Sequence, residues 1–72
     1  MTIEQAREQA TKTAVRTGNA VYVVLDSHSE DQEGPYEWGS ELSVKMLFKG
    51  EKIVGRADAN GLFWFYAIPQ TV

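Results

Sequence analysis

The sequence predicts an α+β domain, one N-terminal helix packed on a four-stranded, mainly antiparallel sheet (α-β-β-β-β) spanning residues 1–72. Three observations predict it. Ile3, Ala6, Ala10, Ala14 and Thr17 recur at spacings of three and four, which places them on one helical face. Downstream segments rich in β-branched and aromatic residues alternate apolar and polar positions with period two. Gly50-Glu51 and Asn60-Gly61 separate the last of these segments by two residues each, the spacing of tight hairpins.

The helix is expected over residues 3–17. Thr2 is a suitable N-cap and Gln5, three residues on, completes a capping box. Glu4 and Glu8 lie early and Lys12 and Arg16 late, which suits the helix dipole, and Glu8–Lys12 is an i,i+4 pair. Gly18-Asn19 supplies the left-handed stop. The buried stripe is mostly alanine, so the helix can lie close to a sheet, and Val15 falls on the opposite, solvated side.

Ala20–Asp26 reads as a strand with Val21, Val23 and Leu25 on one face and Tyr22 and Val24 on the other. Apolar residues on both faces imply cover on both. Ser27–Pro35 reads as a polar loop, and residues 27–34 are expected to be mobile and dispensable for folding because they hold no large apolar side chain. Tyr36–Gly39 is compatible with the start of a strand, and Tyr36 and Trp38 with the core edge. Leu42–Lys49 alternates with Leu42, Val44, Met46 and Phe48 on one side, the pattern of a third strand. Lys52–Ala57 and Leu62–Ile68 are two more, with Pro69 closing the last.

The two turns imply a register. A two-residue type I′ turn at Asn60-Gly61 pairs Ala57 with Trp64, Gly55 with Tyr66 and Ile53 with Ile68. A type II′ turn at Gly50-Glu51 pairs Phe48 with Ile53 and Val44 with Ala57. The core face is then Leu42, Val44, Met46, Phe48, Ile53, Leu62, Trp64, Tyr66 and Ile68, with Trp64 a core residue whose truncation to alanine costs about 3–5 kcal/mol. The outer face carries Lys45, Arg56 and Phe65 in one row, with Leu47, Val54, Phe63 and Tyr22 beside it. One helix covers one side of a sheet, so this face is expected to be an interaction surface.

The charge distribution is uneven. Residues 1–25 hold three bases and two acids, residues 42–72 four bases and two acids, and residues 26–41 six acids and no base, for a net charge of −3 over 72 residues. The acidic segment Asp26, Glu30, Asp31, Glu33, Glu37 and Glu41 is expected to solubilise the chain, or to meet a basic partner and speed association with it. Without cysteine there is no disulfide, thiolate metal site or thiol nucleophile. Asp26, His28 and Glu30 alternate as loose metal ligands would, but neighbouring loop residues do not enclose an ion. Ser27 and His28 beside Asp26 and Asp31 are the residue types of a hydrolytic triad without its convergence or oxyanion hole. The six glycines match no phosphate or dinucleotide loop. No catalytic residues, metal or cofactor are expected, and no stretch has the ~18 apolar residues of a membrane span.

These features point to a small, non-enzymatic, cytoplasmic interaction module acting through Tyr22, Lys45, Leu47, Val54, Arg56, Phe63 and Phe65, with a protein partner or a second copy as ligand. Chains of this size are frequent among phage and prophage accessory proteins, and a host-directed inhibitor is one version of that expectation. The alternative is a sheet for single-stranded nucleic acid using Lys45, Arg56, Phe63 and Phe65, since cations beside aromatic rings suit phosphates and bases. The net negative charge and the acidic loop weigh against it.

Overall fold

The computed structural model describes residues 1–72. The element order is α1 (Ile3–Thr17), β1 (Val21–Leu25), β2 (Tyr36–Ser40), α2 (Glu41–Leu47), β3 (Lys52–Ala57) and β4 (Phe63–Thr71). The strands form one antiparallel sheet in the order β2-β1-β3-β4, so the α+β class and the four-stranded antiparallel sheet stand as the sequence predicts.

α1 forms as its sequence dictates. The Thr2 hydroxyl accepts from the Gln5 amide (3.1 Å) and the Gln5 side chain accepts from the Thr2 amide (2.8 Å). Gly18, at φ 75°, donates its N–H to the Ala14 carbonyl oxygen (2.8 Å). Ala6, Ala10 and Ala14 are fully buried against Val21, Val23 and Ala57. Met1, Tyr36, Trp38, Val54 and Phe63 close the margins of this core.

The predicted third strand, Leu42–Lys49, is a helix instead. Ser40 caps α2, its Oγ accepting from the Ser43 amide (3.2 Å), and Lys45 Nζ donates to Glu41 Oε1 (3.0 Å) one turn away. On a helix residues i and i+2 point to opposite sides, so the alternation speaks for a strand; it is outweighed by the Ser40 cap, the Glu41–Lys45 pair and the packing of Val44 on Gly39. Of the four alternating apolar residues, Val44 alone is buried, while Leu42 and Met46 face water. The fourth strand of the sheet is Tyr36–Ser40. α2 lies on the sheet face opposite α1, over β2 and β1, where Val24 and Val44 are buried. Gly39 admits it: a Cβ there would lie 3.3 Å from Ser43 Cβ and 3.5 Å from Val44 Cγ2.

The hairpin register is one residue away from the expected one. The β3–β4 loop has three residues between the closing pair, because Asp58 N–H donates to the Leu62 carbonyl oxygen (2.9 Å). Asp58 Oδ1 accepts from the amides of Asn60 (2.9 Å) and Leu62 (3.1 Å), and Gly61 takes the left-handed conformation at φ 85°. Asn60 does not have positive φ, which a type I′ turn requires. The strands therefore pair Ala57 with Phe63, Arg56 with Trp64 and Gly55 with Phe65. A one-residue slip exchanges the faces of every side chain. Phe63 and Phe65 take the α1 side, and Trp64 and Tyr66 the opposite side, so the expected core face is overturned. The expected pairing of Phe48 with Ile53 goes with it, since Phe48 ends α2. Pro69 does not close β4 either. Tyr66, Ala67, Ile68 and Pro69 lie opposite Val54 alone, and pairing resumes at Ile53–Gln70 and Lys52–Thr71.

Candidate functional site

Both helices sit over the β2–β1 half of the sheet. α1 reaches as far as β3, α2 covers β2 and β1, and β4 is held mainly by β3. Besides the five-residue β2 edge, which Met1 meets at Tyr36, two surfaces are left open: the β4 edge, and the part of the second face beyond α2.

The second face is organised by one row that crosses all four strands. Gly39, Tyr22, Arg56 and Trp64 are successive partners across β2, β1, β3 and β4. α2 occupies the space above Gly39, which leaves Tyr22, Arg56 and Trp64 beside it. The Arg56 guanidinium lies 4.8 Å from the centroid of the Trp64 ring, a cation–π contact. Lys45 reaches toward this surface from α2, and Tyr66 and Ile53 flank it. Together with Tyr22, Val44 and the chain end Gln70–Val72 they line a cleft of about 420 Å³. Burial pushes the Tyr66 phenol above its usual 10.0.

The sequence-predicted interaction residues are thus divided between two faces. Tyr22, Lys45 and Arg56 meet at the cleft. Phe63, Phe65 and Val54 belong to the α1 side. Phe63 packs on the α1 core, with the Arg7 guanidinium 5.6 Å from its ring centroid, and Phe65 stands edge-on to it at 5.0 Å between centroids. Val54 is the bulged residue of β3 and is half-buried under α1, not on an outer face. Leu47 is exposed at the end of α2. The expected Lys45–Arg56–Phe65 row is replaced by Tyr22–Arg56–Trp64. Trp64 and Tyr66 were placed in the core by the assumed two-residue turn; Asp58, able to nucleate a longer loop through its carboxylate, is the signal that would have moved them.

The Ser27–Pro35 loop is tied down in several places. The Met1 amine pairs with Asp31 and donates to the Gly34 carbonyl oxygen (2.9 Å), and the Tyr36 amide donates to the Met1 carbonyl oxygen (3.1 Å). Gln5 Nε2 donates to Glu33 (3.2 Å), and Asp26 Oδ1 accepts from the His28 amide (3.0 Å). Glu30 is exposed, and Glu37 sits in β2 opposite Val24. Asp26 and His28 converge not on Glu30 but on Glu51, with one ligand-type atom of each within 4.8 Å of the others. Glu51 is 9% exposed and accepts from the Ser27 amide (2.5 Å), the Ser27 hydroxyl (2.7 Å) and His28 Nδ1 (3.1 Å). The Ser27 hydrogen bonds, backbone then side chain, hold its carboxyl below the ordinary value of 4.5. These bonds account for the cluster as a clasp between the loop and the start of β3.

Comparison with protein families, curated proteins and solved structures finds no match to this chain.

Proposed function

We propose that this chain is a non-enzymatic protein-interaction module that associates with a second copy of itself along β4. The observation that carries the reading is the character of that strand. β4 is a sheet edge of nine residues without one charged side chain, and it exposes Trp64 (40%), Phe65 (51%) and Ile68 (82%). Monomeric proteins protect long edges with lysines, other charges or cover, because a row of free amides and carbonyls is a template for another strand. Here the protection is confined to the irregular stretch Tyr66–Pro69, which leaves the regularly paired Phe63–Phe65 segment open. An antiparallel β4–β4 contact is self-complementary about a twofold axis. It would bring Trp64 of each copy together on one face and Phe65 on the other, removing from water the large side chains that neither helix reaches.

The test is molar mass by light scattering across a concentration series. The wild-type chain is expected to move from 8.1 kDa toward twice that value. Phe65→Lys, which gives the edge the charge it lacks, is expected to keep the wild-type circular dichroism and remain at the monomer mass. A wild-type chain that stays monomeric at every concentration overturns the self-association reading. Recovery of a different protein bound to the same edge would keep the interaction surface and replace its occupant.

A further inference from the structure

We propose that the cleft between α2 and the β3–β4 half of the second sheet face binds the phosphate group of a small phosphate monoester. The inference goes beyond self-association and does not depend on it, because the cleft is built within one chain.

The charges come first. Arg56 forms no ion pair, and its Nε is buried with no hydrogen-bond partner. A guanidinium without an ion pair on the wall of a cleft is free to take an anionic partner. The guanidinium is also held in place. Its Cζ lies 4.8 Å from the centroid of the Trp64 ring, and Tyr22 is its cross-strand neighbour on the other side. The enclosed Nε is out of a ligand's reach, so the donors left for an oxyanion are those of the two terminal nitrogens, which no protein group takes up. Little conformational entropy remains to be lost on binding.

The other walls supply what a phosphate needs beyond one arginine. Lys45 brings a second cation from α2, and its present partner Glu41 holds it only through a solvent-exposed i,i+4 pair. Pairs of that kind are weak, so Lys45 exchanges partners readily. Tyr22 and Tyr66 add two phenolic donors. A planar monoanionic carboxylate is satisfied by a single arginine fork. Donors arriving from a strand, a helix and two tyrosines suit a tetrahedral dianion better. The cleft, about 420 Å³, has room for more than the anion, and Val44 and Ile53 offer apolar wall to the ester group. Glu41 is the one acidic side chain among the lining residues, and it sits on the exposed flank of α2.

The experiment is a ¹H–¹⁵N titration that follows the Arg56 Nε–Hε and Trp64 indole signals. The probes are phenyl phosphate, inorganic phosphate and benzoate, against sodium chloride at matched ionic strength, and all are added to Phe65→Lys so that self-association plays no part. Phenyl phosphate is expected to move both signals to saturation and to bind more tightly than phosphate, with benzoate and chloride producing no saturable change. Arg56→Gln and Lys45→Gln are each expected to weaken phenyl phosphate by about tenfold or more, the usual loss for a charge-assisted hydrogen bond. Lys45 is exposed, so its variant reports on binding even if Arg56→Gln does not fold. Linear shifts without saturation overturn the site, as does an affinity unchanged in Lys45→Gln or a preference for benzoate. Saturation by a single-stranded oligonucleotide but by neither phosphate compound would also overturn it, in favour of a nucleic-acid surface. Failure of the wild-type chain to dimerise would leave this titration intact, and failure of the titration would leave the dimer intact.

Discussion

Glu51 and Gly55 show how single residues carry this fold. Glu51 ties the Ser27 amide and hydroxyl to the start of β3, and those bonds hold its carboxyl below 4.5. The sign follows from proton linkage. The unfolded chain binds the proton more readily, so the stabilisation is fully present above pH 4.5 and is lost as pH falls through the lower folded value. Asp31, lowered from 3.8 by the Met1 amine and the Glu33 amide, adds a loss in the same direction. Urea midpoints measured from neutral pH downward are expected to fall through this range, and Glu51→Gln is expected to be less stable at neutral pH with a flatter acid limb. An acid limb identical to wild type would remove Glu51 from the account. At Gly55 the constraint is space. An added Cβ would lie 2.6 Å from Phe63 Cζ and 3.0 Å from the Trp64 carbonyl oxygen. Gly55→Ala is expected to lose about 1–3 kcal/mol by overpacking, read by chemical denaturation. The two-residue turn puts Tyr66 opposite this glycine, whereas the ring over it belongs to Phe63.

At the scale of elements, what was legible was whatever had redundant local signals. α1 has a cap, a stop, a dipole-compatible charge order and a periodic stripe, and its limits match the sequence reading to the residue. α2 has only seven residues and its alternating apolar positions fit a strand better than a helix, so the cap at Ser40 carried the information that mattered. The β3–β4 hairpin was visible as a hairpin. Its register was not, because Asn60-Gly61 serves either a two-residue or a three-residue loop, and the choice rests with the Asp58 carboxylate. Asp58→Ala is therefore expected to lower stability by about 1 kcal/mol and to speed amide exchange at Leu62. The register also reverses the ranking of the aromatic residues. Trp64→Ala, expected to be severe when Trp64 was assigned to the core, is now expected to cost less than Phe63→Ala, since Trp64 is 40% exposed and Phe63 packs on the α1 core. Denaturation midpoints of the two variants in the reverse order would restore the two-residue turn.

The molecule as a whole is lopsided, and its surface chemistry follows. Eleven of 72 residues are buried; six of them form the core under α1, and Val24 and Val44 are buried on the α2 side of the same β2–β1–β3 region. The sequence anticipated an uncovered apolar face by counting one helix against two sheet faces. The second helix invalidates that count, yet it is too short to reach β4, so uncovered surface remains, moved to one end of the sheet. Its composition was readable from the run Phe63–Thr71, but its position required the strand order β2-β1-β3-β4, which no local pattern encodes. Strand position sets local stability: β1 and β3 are bonded on both sides, whereas β4 has one partner and an open edge. Amide exchange in dilute solution is therefore expected to be slowest in β1 and β3. In β4 the amides facing away from β3 should exchange as fast as those of a loop. If β4 pairs with a second copy, those same outward amides gain protection as concentration rises, while the inward ones change little. Phe65→Lys is expected to abolish that concentration dependence without altering β1 or β3. Protection that rises uniformly across the sheet would instead indicate association elsewhere on the molecule, with the exposed Leu42 and Met46 of α2 as the next surface to mutate.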